Sequence, residues 1–155
     1  MNRTALVVGI GSSHGDDRVG WEVARAIDRR GDRGIATRCA RTPAELLDWL
    51  DGVERLDVCD AVSWSTTETA VEIGSVRCWK WPAQDLERAP FRTSHDLSLP
   101  AVLVLAETLG RLPPEVRVWG VTIGAPTTPS ATLSPALAAL VPAIAGRICG
   151  GLVHA

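Results

Sequence analysis

The sequence predicts an α/β fold, a three-layer α/β/α sandwich around a five-stranded mixed, mostly parallel sheet, with residues 1–155 forming one domain. Three observations predict it. Apolar runs closed by glycine alternate with segments whose apolar residues recur at helical spacing, the pattern of strands joined by crossover helices. One link, Ser63 to Glu68, is too short for a crossover and makes its flanking strands an antiparallel hairpin. The length, 155 residues, suits one core, and no linker or internal repeat divides it.

The elements follow in order. Thr4 to Ile10 is an unbroken apolar run, expected as a buried, central, parallel strand. After a loop from Gly11 to Asp16, the spacing of Val19, Val23, Ala26 and Ile27 predicts a helix from Asp17 to Arg30, stopped by Gly31 and Gly34. Ile35 to Ala40 is a short second strand. Thr42-Pro43-Ala44-Glu45 is a helix start with Thr as cap, Pro at the first position and Glu as its reciprocal partner, and Leu46, Leu47 and Leu50 form the apolar stripe. Leu56 to Val62 is the third strand and Thr69 to Trp79 the fourth, its hairpin partner. Trp81 to Thr93 lacks periodicity and is expected as a long loop. Leu97 to Leu109 is a helix ended by Gly110, and Glu115 to Ile123 the fifth strand. A Gly/Pro/Thr loop from Gly124 to Thr132 leads to Leu133-Ser134-Pro135, which opens a last helix to Ile148.

Composition narrows the function class. Hydrophobic residues are 46% and charged residues 22%, a globular balance. A net charge of −2 and a pI near 5.9 predict no general attraction to nucleic acid or to a membrane surface. The start, MNRTALVVGIG, runs straight into a strand pattern without a cleavage site, and no apolar run is expected to span a bilayer. A cytoplasmic monomer is the expectation. Cys39, Cys59, Cys78 and Cys149 have no CxxC spacing, which fits reduced thiols.

Ligands of open α/β sheets bind beyond the carboxyl ends of the strands. Here the first strand leads into Gly9-Ile10-Gly11-Ser12-Ser13-His14-Gly15-Asp16-Asp17, the third ends in Asp57-Val58-Cys59-Asp60-Ala61, and the loop after the fourth ends in Thr93-Ser94-His95-Asp96. Two carboxylates and an imidazole on one rim make a three-ligand set for a divalent metal, with positions left open for ligands from another molecule. Each group also has a plainer reading. Asp16 and Asp17 suit a helix N-terminus, though only one can cap and the second invites a cation. Asp60 could be a solvated strand-end acid, and His95 a surface loop residue. His14 is an exposed loop residue or an extra ligand.

The segment Gly9-Ile10-Gly11 … Gly15-Asp16-Asp17-Arg18-Val19-Gly20 resembles the opening motif of the maturation endopeptidases of nickel-iron hydrogenases. Val58-Cys59-Asp60-Ala61-Val62 is similar to that family's second acidic position, and Ser94-His95 before Leu97 to its histidine-bearing helix start. Val118-Trp119-Gly120-Val121 and Leu133-Ser134-Pro135 are similar to its last strand and last helix, so the likeness runs in order along the chain. It implies an enzyme that reads nickel already inserted in the precursor of a hydrogenase large subunit and removes a C-terminal peptide. Carried over, Asp17, Asp60 and His95 hold nickel that the substrate brings and that is bound transiently. No organic cofactor is implied, and the partner is the large-subunit precursor. Asp16, beside the first ligand, is either a helix cap or the group that positions or deprotonates a water.

The chain departs from the family at Ser12, usually Asn; at His14, commonly apolar; at Arg18, often Gly; and at Gly124-Ala125-Pro126. Two rival readings stand beside this one. A chaperone that binds the precursor without cutting it shares every feature above. A nucleotide-binding module is suggested by Gly9-x-Gly11-x-x-x-Gly15 after a strand, with Arg38 and Arg41 placed to meet a 2′-phosphate. Against the latter, Asp16 and Asp17 occupy the helix N-terminus where a pyrophosphate would sit.

Overall fold

Strand β3 (Arg55–Val62) is buried at all eight positions, which requires a strand on each side and a helical layer on each face. The computed structural model, which describes residues 4–63, 72–91, 97–124 and 132–153, supplies all four. β1 (Ala5–Ile10) and β5 (Glu115–Thr122) flank β3 in parallel, β2 (Ile35–Ala40) pairs in parallel with β1, and β4 (Val76–Lys80) pairs antiparallel with β5. The sheet order is β2-β1-β3-β5-β4, so the expected mixed, mostly parallel five-stranded sheet is present.

The two-residue period of the strands sorts the core into two layers. Leu6, Val8 and Ile10 of β1, with Leu56, Val58, Val116 and Val118, face helix α2 (Leu99–Thr108), the 3-10 segments that carry Leu46 and Leu86, and Leu50 just beyond the first of these. Val7, Cys59, Ala61, Trp119 and Val121 face α1 (Val19–Arg30) and α3 (Pro135–Val153), which lie against each other.

The helix predicted after Thr42 is a 3-10 helix, Pro43–Asp48, and its capping box forms: Glu45 Oε2 accepts the Thr42 N–H at 2.8 Å. The helix predicted from Asp17 begins as a 3-10 turn, Gly15–Arg18, and becomes α-helical at Val19. The expected loop after Trp81 holds a 3-10 helix, Gln84–Arg88, anchored by buried Leu86.

Two expectations are corrected. The third and fourth strands are not a hairpin. Both edges of β3 are already taken by β1 and β5, so β4 lies at the sheet's edge beside β5. Residues 72–75 are turn and coil rather than strand, and residues 64–71 lie outside the described part. The second correction concerns the last helix. It continues past Ile148 to Val153, and Pro135–Leu152 is long and apolar enough to cross a membrane by length and composition. Its apolarity comes mainly from small residues and a docked face: Leu137, Val141, Ile144, Ala145, Ile148 and Cys149 are core. Pro142 interrupts it without stopping it, because Pro142 and Ala138 are both exposed and the carbonyl left over one turn earlier can take water.

Candidate active site at the carboxyl rim of the sheet

The site begins where β1 ends. Gly20 of α1 lies directly over Gly9, and a Cβ on Gly20 would run into the Ile10 carbonyl and come within 2.6 Å of the Cys59 oxygen. That approach presses the start of α1 onto the ends of β1 and β3. The chain between them folds back tightly: the Ser12 N–H donates to the Asp17 carbonyl at 3.3 Å and the Asp17 N–H to the His14 carbonyl at 3.1 Å. Gly15 turns there with φ of 53°, and a Cβ on Gly11 would lie 2.7 Å from the Asp17 carbonyl. These glycines therefore accommodate the chain's own backbone. A dinucleotide would need that space for its pyrophosphate.

The turn carries Asp16 and Asp17 in different environments. The Ser12 hydroxyl donates to Asp17 Oδ2 at 3.4 Å, and the turn lies against β3. Asp16 reaches across the molecule, accepting the Ser134 N–H on Oδ1 at 2.7 Å and the Ser134 hydroxyl on Oδ2 at 3.1 Å. His14 is exposed on the turn, its N–H donated to the Ser12 hydroxyl at 3.3 Å.

Asp60 is 1% exposed, although it ends an otherwise apolar strand. Its Oδ1 accepts the Ala61 N–H at 2.8 Å. It lines a cleft of about 360 Å³ whose other walls include Pro43, Leu86, Phe91, Leu99, Pro100 and Val104. Past the end of β1, the free edge of β3 is taken by Pro90 and Phe91, through Ser63 N–H to Pro90 carbonyl at 3.0 Å and a Val62–Phe91 bridge. At the far wall, Ser98 caps α2 by accepting the Ala101 N–H at 3.3 Å.

Asp17 and Asp60 thus belong to adjoining elements of one rim. His95 lies outside the described residues, but Phe91 and Ser98, on either side of 92–96, both line the Asp60 cleft. Among the described residues no three His, Cys, Asp or Glu side chains are grouped to hold a metal ion. The two carboxylates suit a hard or borderline cation and need at least one further donor. A thiol nucleophile is disfavoured at this end of β3. Burial, with Asp60 and Asp57 adding, pushes the Cys59 thiol far above its ordinary value.

Sequence reasoning missed the cleft's apolar walls and Glu87, an exposed acid lining it. Leu86, Glu87 and Phe91 sit in aperiodic sequence, and Leu99, Pro100 and Val104, though legible as helix, carry no local signal of what they face. Ser134 was legible as a helix cap, but its bond to Asp16 spans 118 positions.

No family model matches the chain, and no curated protein matches it. Solved structures do. The hydrogenase maturating endopeptidase HybD from E. coli superposes with a TM-score of 0.78 at 19% identity, covering 97% of this chain and 93% of that one. The [NiFe] hydrogenase maturation protease HycI from Thermococcus kodakarensis KOD1 gives 0.69 at 20% identity, over 94% and 89%. The hydrogenase 2 maturation peptidase from Thaumarchaeota archaeon SCGC_AB-539-E09 gives 0.62 at 23% identity, over 97% and 98%. At these identities the likeness is one of fold.

Proposed function

We propose that the chain is an endopeptidase of hydrogenase maturation, which reads nickel in the precursor of a nickel-iron hydrogenase large subunit and removes its C-terminal peptide. The observation that carries this reading is that the turn bearing Asp17 adjoins the strand that ends in buried Asp60, in a fold shared along almost the whole chain with structures described as hydrogenase maturation peptidases.

Asp17, Asp60 and His95 are the groups that complete the coordination of nickel carried in by the substrate. Three protein donors leave positions that only the substrate's own ligands fill, so docking is tight only for a loaded precursor. Binding there fixes the tail beside the cut site and lowers the barrier by positioning. Substrate-borne nickel supplies a positive charge that can polarise the scissile carbonyl or a water. The apolar cleft beside Asp60 is suited to an extended tail. The four free cysteines fit a reducing compartment, the cytoplasm.

The test is incubation of the purified protein with nickel-loaded and nickel-free precursor, followed by intact mass. Loss of the C-terminal peptide from the loaded form alone is expected. Equal cleavage of both forms would sink nickel recognition, and binding without any mass change would favour the non-catalytic chaperone.

A further inference from the structure

We infer that Asp16 is a positioning residue, clamping the Asp17 turn to the start of α3 through Ser134, and is not the base that activates water. Both carboxylate oxygens are engaged by one residue: Oδ1 takes the Ser134 N–H at 2.7 Å and Oδ2 its hydroxyl at 3.1 Å. Ser134 is the cap position of α3, since its carbonyl accepts the Ala138 N–H at 2.9 Å. The N–H and hydroxyl it turns to Asp16 are donors pinned to a 19-residue helix that is itself docked on the sheet. A charged acceptor meeting two donors of one residue fixes orientation as well as distance.

What the clamp holds is short. Asp16 and Asp17 are neighbours in a four-residue 3-10 turn, and that turn lies against β3. Its ties within the loop include the 3.3 Å and 3.1 Å backbone bonds within residues 12–17 and the Ser12 hydroxyl donated to Asp17 Oδ2 at 3.4 Å. Contact with α3 therefore adds an anchor from outside the loop, and Asp17 inherits it through one peptide bond. A base would have to release Ser134 before taking a proton. The clamp's geometry is independent of the peptidase reading, whereas its consequence for cleavage rests on that reading.

The test compares Asp16→Ala, Asp16→Asn and Ser134→Ala by amide hydrogen exchange over residues 11–18 and by cleavage of loaded precursor. Asn keeps the clamp, its oxygen accepting the Ser134 N–H and its amide donating to the Ser134 oxygen, but it cannot act as a base. Asp16→Ala should raise exchange of the turn about tenfold while α1 and the sheet stay protected. It should also lower turnover by about 10- to 100-fold through misplacement of Asp17. Asp16→Asn should recover most of both losses, and Ser134→Ala should fall between. Unchanged exchange in Asp16→Ala, or cleavage lost as fully in Asp16→Asn as in Asp16→Ala, overturns the inference. A wild-type protein that cuts no precursor overturns the peptidase reading, and the exchange data then still decide the clamp.

Discussion

Gly20 stands over Gly9 with no room for a side chain on either: a Cβ on Gly9 would overlap the Gly20 carbonyl, and one on Gly20 would overlap that of Ile10. The colliding atoms are backbone in a helix and a buried strand, so no rotamer change relieves them. Gly20→Ala should cost about 3 kcal/mol, as overpacking of a rigid contact does. Urea unfolding would measure it. A loss well under about 1 kcal/mol would mean that α1 can lift off the sheet at little cost.

At the other end of β3, Asp57 is fully buried, with Trp119 Nε1 donating to Oδ1 at 2.8 Å and Arg55 Nε to Oδ2 at 3.2 Å. Burial nonetheless dominates and holds its carboxyl above the ordinary value, against the opposing pull of Trp119 and Arg55. The folded state then keeps this proton more tightly than the unfolded state. Its contribution is full below the ordinary carboxyl value of about 4 and is lost as pH rises through the raised value. The unfolding free energy of the wild type relative to Asp57→Asn should therefore fall as pH rises above about 4. A difference that grows over this range would show that Arg55 and Trp119 outweigh burial.

The strands that read cleanly from sequence are those whose signal is local. β1 is an unbroken apolar run, and β1, β2 and β5, each bounded by glycine or turn residues, fall within about one residue of their expected ends. β4 did not, because its partner is chosen by which edges remain open after β1, β3 and β5 have paired, and no window of sequence carries that fact. The same divide runs through the site. That the Asp17 turn and Asp60 share one rim was legible from the rule that ligands gather at strand carboxyl ends. The Asp16–Ser134 bond and the cleft walls depend on contacts between distant segments. The 3-10 helix Gln84–Arg88 buries only Leu86, too little to leave a periodic trace.

Thiol reactivity offers an independent check on the packing. Cys39 and Cys78 are exposed, whereas Cys59 and Cys149 are buried. An aromatic disulfide reagent should label two cysteines on the native protein and the remaining two only after denaturation. Burial is the largest cause raising both accessible thiols, so their labelling should quicken as pH climbs above about 8.5, the ordinary thiol value. Fast labelling of a third cysteine would place β3 or α3 outside the core.

Asp60 allows charge to be separated from structure. Its carboxylate is almost wholly buried, and its Oδ1 accepts the Ala61 N–H, a bond that an Asn oxygen accepts equally well. Asp60→Asn keeps the volume and that bond and removes the negative charge from the cleft floor. A purely structural Asp60 would leave cleavage near wild type once the fold is retained. A carboxylate that completes nickel's coordination would not, because a neutral amide is a far weaker donor to a cation. Asp60→Asn should therefore unfold within about 1 kcal/mol of wild type while cutting loaded precursor about 100-fold more slowly. Thermal denaturation and intact-mass time courses on one preparation measure the two together. Cleavage that survives with stability unchanged would remove Asp60 from the site and leave the cleft without its ligand.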